Sequence, residues 1–321
     1  MLRKVFFAPQ LLVAFTLVGL FALTVLPVEA QGVGTLTLRV DCDKGDSIQE
    51  TIKKSWEHTT IEVFGTCNEH VDIDKDRIRL IGRPGAKLSA PSGLSSVISI
   101  RGRIVEVKDF EIDADGVWNG ILVLGGGYAM INGNEIRNTS GDGIMVRDGS
   151  VADIYDNKIL RSTYMGVSLY VGASANIVGN TIEESGNVGI IFGGSEAAII
   201  DNKIINNGAG GIWIGGNSSA SINSNIIEGN THSGVGVVES GSADLAGNTI
   251  RGNGLAGVSV ERNSSITMPP WAGGANLIEG NNYHGILCGN SGSMIGIPQN
   301  FGSGNTPADE LIDPGCDKIG F

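Results

Sequence analysis

Basic residues are scarce in this chain. Its 22 lysines and arginines stand against 34 aspartates and glutamates, giving a formal charge of −12 over 321 residues. Nucleic acids and anionic membranes are recognised through a basic footprint, so this balance excludes both as partners. Charges of both signs make up only 17% of the sequence while 41% is apolar, too large an apolar share for a disordered chain. There are 49 glycines but no strict Gly-X-Y period, which excludes a collagen. Long hydrophobic runs are also missing, with one exception. Leu11 to Leu26 is 16 residues, short of the roughly 20 that span a bilayer. Arg3 and Lys4 precede it and Val28-Glu29-Ala30 follows, the pattern of a signal peptide cleaved after residue 30. The mature chain is therefore expected to be secreted or periplasmic, without a membrane partner after cleavage. Cysteine is limited to Cys42, Cys67, Cys288 and Cys316. In an oxidising compartment three pairings are open. The local ones, Cys42–Cys67 and Cys288–Cys316, would staple one terminus each.

What the sequence does have is a repeat. Asn134, Asn157, Asn180, Asn202, Asn225, Asn248 and Asn276 recur at intervals of 22 to 28 residues. Nine residues after each comes a glycine, from Gly143 to Gly285, followed by Ile or Val; two after each comes Ile, from Ile136 to Ile278. Five before each is alanine, from Ala129 to Ala243, until Trp271 breaks the column in a unit with five extra residues. The alternation has period two, so each unit reads as short strands with one buried face, and the Asn and Gly positions read as turns. No stretch within a unit is long or periodic enough for a crossover helix. Such a unit cannot bury its own apolar face, so coils must stack, with Ile columns in the core and Asn columns as an amide ladder. Phe110 falls in the Asn column one coil before Asn134.

This N-x-I…G-[IV] unit resembles the right-handed parallel β-helix proteins of the pectin-lyase-like superfamily. The expectation is an all-β solenoid of roughly ten coils over residues 61–296, following an N-terminal cap over 31–60. In that cap, a short helix opens at Asp46 or Ser47 and presents Ile48, Ile52 and Trp56 on one face. Residues 297–321 lack the repeat and are expected to form an irregular C-terminal cap.

The resemblance implies action on an acidic polysaccharide by elimination, C5-epimerisation or hydrolysis. The chain is expected to bind a polysaccharide or cell-surface glycan, with or without processing it. The alternative is a non-catalytic surface, scaffold or adhesion solenoid. Outward positions after the repeat glycines place Arg147 and Tyr170 on adjacent rungs and Trp213 two rungs further. Tyr170 and Trp213 suit sugar rings, and Arg147 suits a carboxylate. Asp142 and Asp148 flank the Arg147 strand as acid–base candidates, and His232 and His284, in the turns before later strands, are alternative bases. The segment His284-Gly285-Ile286 is similar to a strand of polygalacturonases. That family's Asn-Thr-Asp, Asp-Asp and Arg-Ile-Lys motifs, and the Asp-Pro-His-Asp motif of alginate epimerases, have no counterparts here. No cofactor is required by this reading. Ca²⁺ enters as an optional ligand for the acidic runs Asp72/Asp74/Asp76 and Asp113-Ala114-Asp115, neither of which completes a calcium loop. The metal ligands and the oligomeric state are not set by the sequence.

Overall fold

Each unit of the chain turns through three short strands, and equivalent strands of successive units pair in parallel. The structure, a computed structural model, describes residues 36–268, 274–289, 291, 293–295, 304–305, 308–312 and 317–319. The expected signal peptide, Trp271 and Cys316 lie outside the described residues. Within them, three parallel sheets of 13, 10 and 11 strands run the length of the stack; they are called sheets I, II and III here, in the order each coil visits them. Residues 128–155 show the plan: Tyr128–Asn132 in sheet I, Glu135–Arg137 in sheet II, Ile144–Val146 in sheet III, then Val151–Tyr155 back in sheet I. Register is column on column. Ala129 pairs with Ala152, Ile136 with Ile159 and Ile144 with Val167, so like residues meet directly above one another in the core.

The corners explain the polar part of the repeat. Between sheets I and II the residue before Phe110 and before each ladder Asn from Asn134 to Asn248 has positive φ: Asp109, Gly133, Asp156, Gly179, Asp201, Ser224 and Gly247. This left-handed step turns the chain and points the Asn inward. Asn202 is typical. Its Oδ1 accepts from Asn180 N–H (2.8 Å) and Nδ2 (3.0 Å), and its own Nδ2 donates to Asn225 Oδ1 (3.0 Å) and to Ile177 O (2.8 Å). The ladder runs from Asn134 to Asn276, and at its beginning the Phe110 N–H donates to Asn134 Oδ1. A second ladder, at the corner between sheets II and III, links Asn207, Asn230, Asn253, Asn281 and Asn305 in the same way.

The repeat glycine has a steric rather than a conformational cause. A Cβ on Gly189 would lie 2.6 Å from Ile204 Cγ2 and 2.7 Å from Gly211 O, and Gly143, Gly166, Gly211, Gly234 and Gly257 meet the same obstruction. The isoleucine of the next coil packs directly onto this backbone.

Three sequence expectations shift. The helix α1 (Ile48–Lys54) has Ser47 as its N-cap and buries Ile48 and Ile52. Trp56 does not share that face. The helix ends at Lys54, and Trp56 is 79% exposed. The coil after α1 holds the helix at both ends: Glu69 accepts from Ile48 N–H and Gln49 N–H, and Lys75 Nζ donates to the carbonyls of Ile52, Lys53 and Ser55. Second, Ile266 and not Trp271 fills the alanine column, where it pairs with Ala243, so the extra residues of that unit follow strand Ser265–Thr267. Third, the tail is not wholly irregular. Ala308–Ile312 joins sheet III and Asp317–Ile319 joins sheet I, adding a further rung. Cys42 and Cys67 form a disulfide with Cα atoms 5.2 Å apart. The Cys288–Cys316 pairing involves a residue outside those described.

Candidate functional site

The outward columns of sheet III carry the residues singled out in the sequence. Arg147 follows strand Ile144–Val146 and is exposed, with Nε 2.9 Å from Asp148 Oδ2. The register of Val146 with Leu169 places Tyr170 one rung above Arg147. Tyr170 is half-buried and its ring lies across the next rung, where a Cβ on Gly193 would fall 2.9 Å from Tyr170 Cδ1. Trp213 lies over Gly236 in the same manner.

Asp142 differs from a surface carboxylate. It is only 5% exposed, its Oδ1 accepts from Met165 N–H (3.1 Å), and its Oδ2 accepts from Ser168 Oγ (2.6 Å). Burial pushes its carboxyl above the usual carboxylate range, against the pull of those two hydrogen bonds. Tyr170 is pushed up as well, first by burial and then by the charge of Asp142. One rung below, Asn119 is 2% exposed and its Oδ1 has no hydrogen-bond partner, while its Nδ2 donates to Ser95 O. A buried acceptor left unpaired costs about 1–3 kcal/mol. Val171, next to Tyr170, is β-branched, 65% exposed and held at φ 57°. A residue of that type in the left-handed region is strained.

The remaining candidates spread along the stack. Trp213 and His232 share a shallow cleft of about 270 Å³ with Met165, Val188 and Ile191. His284 is buried, its ring edge-on to Tyr283 at 4.2 Å. It lies six rungs beyond Asp142, about 29 Å at 4.8 Å per rung. The fold thus brings Asp142, Tyr170, Arg147 and Asp148 onto two neighbouring rungs and leaves both histidines well away from them.

Three carboxylates of the acidic runs are engaged by protein groups. Asp72 pairs with Arg101, Asp76 accepts from Arg103 N–H, and Asp113 is held by Arg137 and Asn138. Among the described residues no cluster of three or more His, Cys, Asp or Glu side chains could hold a metal ion. Nor is any described helix long and apolar enough to cross a membrane.

Two features escaped sequence reasoning. The second Asn ladder was hidden because its column holds Thr139, Ser162 and Ser185 in the earlier coils. The other is an exposed aromatic pair, Trp118 and Tyr164, with ring centroids 5.3 Å apart. They sit two units apart, and a search for adjacent repeats does not connect them.

Comparison with known proteins agrees with this architecture. Residues 119–268 match the family described as a right handed beta helix region. No curated protein gives a significant match to the sequence. Among solved structures, the A-module of a mannuronan C-5 epimerase from Azotobacter vinelandii superposes with a TM-score of 0.59 at 16% identity, covering 84% of this chain and 94% of the module. A periplasmic alginate epimerase gives 0.54 at 16% identity, covering 88% and 82%. A DFA-IIIase from Arthrobacter chlorophenolicus gives 0.54 at 14% identity, covering 88% and 93%. The stacked three-strand units, their ladders and these likenesses give the described residues one fold, a right-handed parallel β-helix.

Proposed function

We propose that this is an exported protein that binds an acidic polysaccharide across the outer face of sheet III and processes it at Asp142 and Tyr170. The observation that carries the reading is Asp142: a carboxyl buried on the outside of a sheet, raised in pKa, beside a tyrosine raised in turn. Paired proton-handling groups displaced from their ordinary values are a mark of acid–base chemistry. The neighbours named as alginate epimerases support the substrate class. The periplasmic neighbour and the Cys42–Cys67 bridge support export.

The geometry supports the following roles. Arg147 is exposed and supplies a cation for a uronate carboxylate, in exchange for its surface pair with Asp148. Tyr170 remains a phenol at neutral pH and donates a proton. Asp142 accepts one once Ser168 releases it. Elimination and epimerisation both begin with loss of the C5 proton, and this pair suits that step. A hydrolytic mechanism needs a second carboxylate within about 10 Å across the scissile bond, and Asp148, six residues along the chain from Asp142, is about 20 Å away when the chain is extended, so the site favours proton abstraction over hydrolysis.

The test is a panel of acidic glycans, run with and without Ca²⁺, reading retention, unsaturated product by absorbance, and reducing ends. Arg147→Ala is expected to lose retention at an unchanged melting temperature. Asp142→Asn is expected to keep retention and lose product. Retention without product in the wild type removes the catalytic role. If no glycan is retained, the scaffold or adhesion reading replaces this one.

A further inference from the structure

The aromatic pair Trp118 and Tyr164 belongs to the corner that leads into sheet III, two positions before the repeat glycines of alternate rungs. Their strands are two rungs apart, roughly 9.6 Å at the usual spacing. The ring centroids nevertheless stand 5.3 Å apart, tilted by 36°. The rings close that gap by leaning together over the rung between them, where the equivalent residue is Gly141. A Cβ on Gly141 would lie 2.8 Å from both Cδ1 and Cε2 of the Trp118 ring. The glycine is therefore what lets the indole lie flat against the stack. Both side chains stay open to solvent, Trp118 at 48% and Tyr164 at 44%. A large aromatic pair buried in a core or under a loop needs no ligand; this pair is laid down in register and left uncovered. Asn119, with its unpaired Oδ1, and Asp142 are the next residues in the chain after Trp118 and Gly141.

We infer that Trp118 and Tyr164 form a stacking subsite for a pyranose ring of the glycan, at the opposite end of the sheet III strands from Arg147. The inference rests on the proposed function for its ligand class. Apolar sugar faces pack on aromatic rings, and the platform is continuous with the Asp142 rung. From the Trp118 column to the Arg147 column is six residues of strand and corner, about 20 Å when extended. One short oligosaccharide cannot cover both ends, whereas a chain of several units can. The subsite thus selects for length, and Arg147 selects for charge.

The test compares retention of an acidic disaccharide and an acidic hexasaccharide from whichever polymer the wild type retains, by calorimetry on the full exported chain. Trp118→Leu and Tyr164→Leu are expected to weaken hexasaccharide binding about tenfold, the scale of one lost ring stack, and to leave the disaccharide unchanged. Tyr164→Phe is expected to bind like wild type, because the ring and not the hydroxyl makes the contact. Melting temperatures close to wild type establish that the leucine variants fold. Equal hexasaccharide affinity in wild type and both leucine variants, while Arg147→Ala loses binding, overturns the subsite and leaves the proposed function standing. Loss of both oligosaccharides together also overturns it, since a length-selecting subsite cannot act on a disaccharide. A concentration-dependent dimer that Trp118→Leu disperses would make the pair a subunit contact and overturn it too. If the wild type retains no acidic glycan, the proposed function fails and takes the subsite with it.

Discussion

Replacing Asn202 by leucine tests the ladder where it is most complete. The change is nearly isosteric, so little of its effect can come from a cavity. It removes five hydrogen bonds: two accepted by Oδ1 from Asn180, and three donated by Nδ2 to Ile177 O, Ile200 O and Asn225 Oδ1. Not all of these leave orphans. Asn180 Nδ2 keeps Ile154 O and Val178 O, and Asn225 Oδ1 keeps the Asn202 N–H. The Asn180 N–H loses its acceptor inside the stack. One stranded buried donor costs about 1–3 kcal/mol, and the lost net bonds bring the expectation to about 2–4 kcal/mol. Asn134→Leu should cost nearly as much, because it strands the Phe110 N–H in the same way. The ladder's first rung is no safer than its middle. Asn202→Asp adds a chemical control. The carboxylate can still accept from Asn180 but faces the three oxygens that Nδ2 served. Its pKa in the fold must rise, so stability lost at neutral pH should return as pH falls through that raised value. Urea midpoints across pH decide the matter. A leucine variant within experimental error of wild type, or an aspartate variant insensitive to pH, refutes the buried ladder.

Asp142→Asn should be neutral or stabilising at pH 7, because burial raises the folded pKa of Asp142 and its ionised form disfavours folding. That advantage should shrink as pH drops below the ordinary carboxylate range, where the wild-type side chain is protonated in both states; thermal melts of both proteins from pH 3 to 8 read it, and an advantage that grows in acid contradicts the assignment. Gly189→Ala should lose about 1–3 kcal/mol by overpacking against Ile204, measured by the same denaturant midpoints, although its backbone conformation suits alanine. Val171→Asn should gain about 1 kcal/mol, since asparagine tolerates the left-handed region that valine does not; an unchanged or lower midpoint would show that Val171 is unstrained.

The main features of the fold were legible because a stack converts sequence period into spatial column. Asn134 to Asn276 and the glycines nine residues later stand out by identity alone, and both have a single cause that repeats in every coil. Features whose residue type drifts along a column were not legible. The second ladder changes from Thr139, Ser162 and Ser185 to Asn207 and onward, and Ile266 stands where alanine stood before. Tyr170 beside Asp142 follows from register, but the burial of Asp142 does not. It lies in the turn before strand Ile144–Val146, where alternation gives no facing, and only packing shows that Met165 and Ser168 close around it. Trp118 and Tyr164 were missed for a third reason: the contact spans two rungs across a glycine, whereas period analysis compares neighbours.

The first ladder also has a sense of direction. From Asn134 onward every side-chain amide hands its hydrogen to the oxygen of the following coil, and the backbone N–H beside it does the same. A growing stack therefore always presents free donors on its leading side, waiting for one incoming oxygen. The order in which the coils leave a ribosome is the order in which those donors become available. Each new coil can lock onto a finished template instead of searching for a partner not yet made, as a zip closes from the end where its slider was seated.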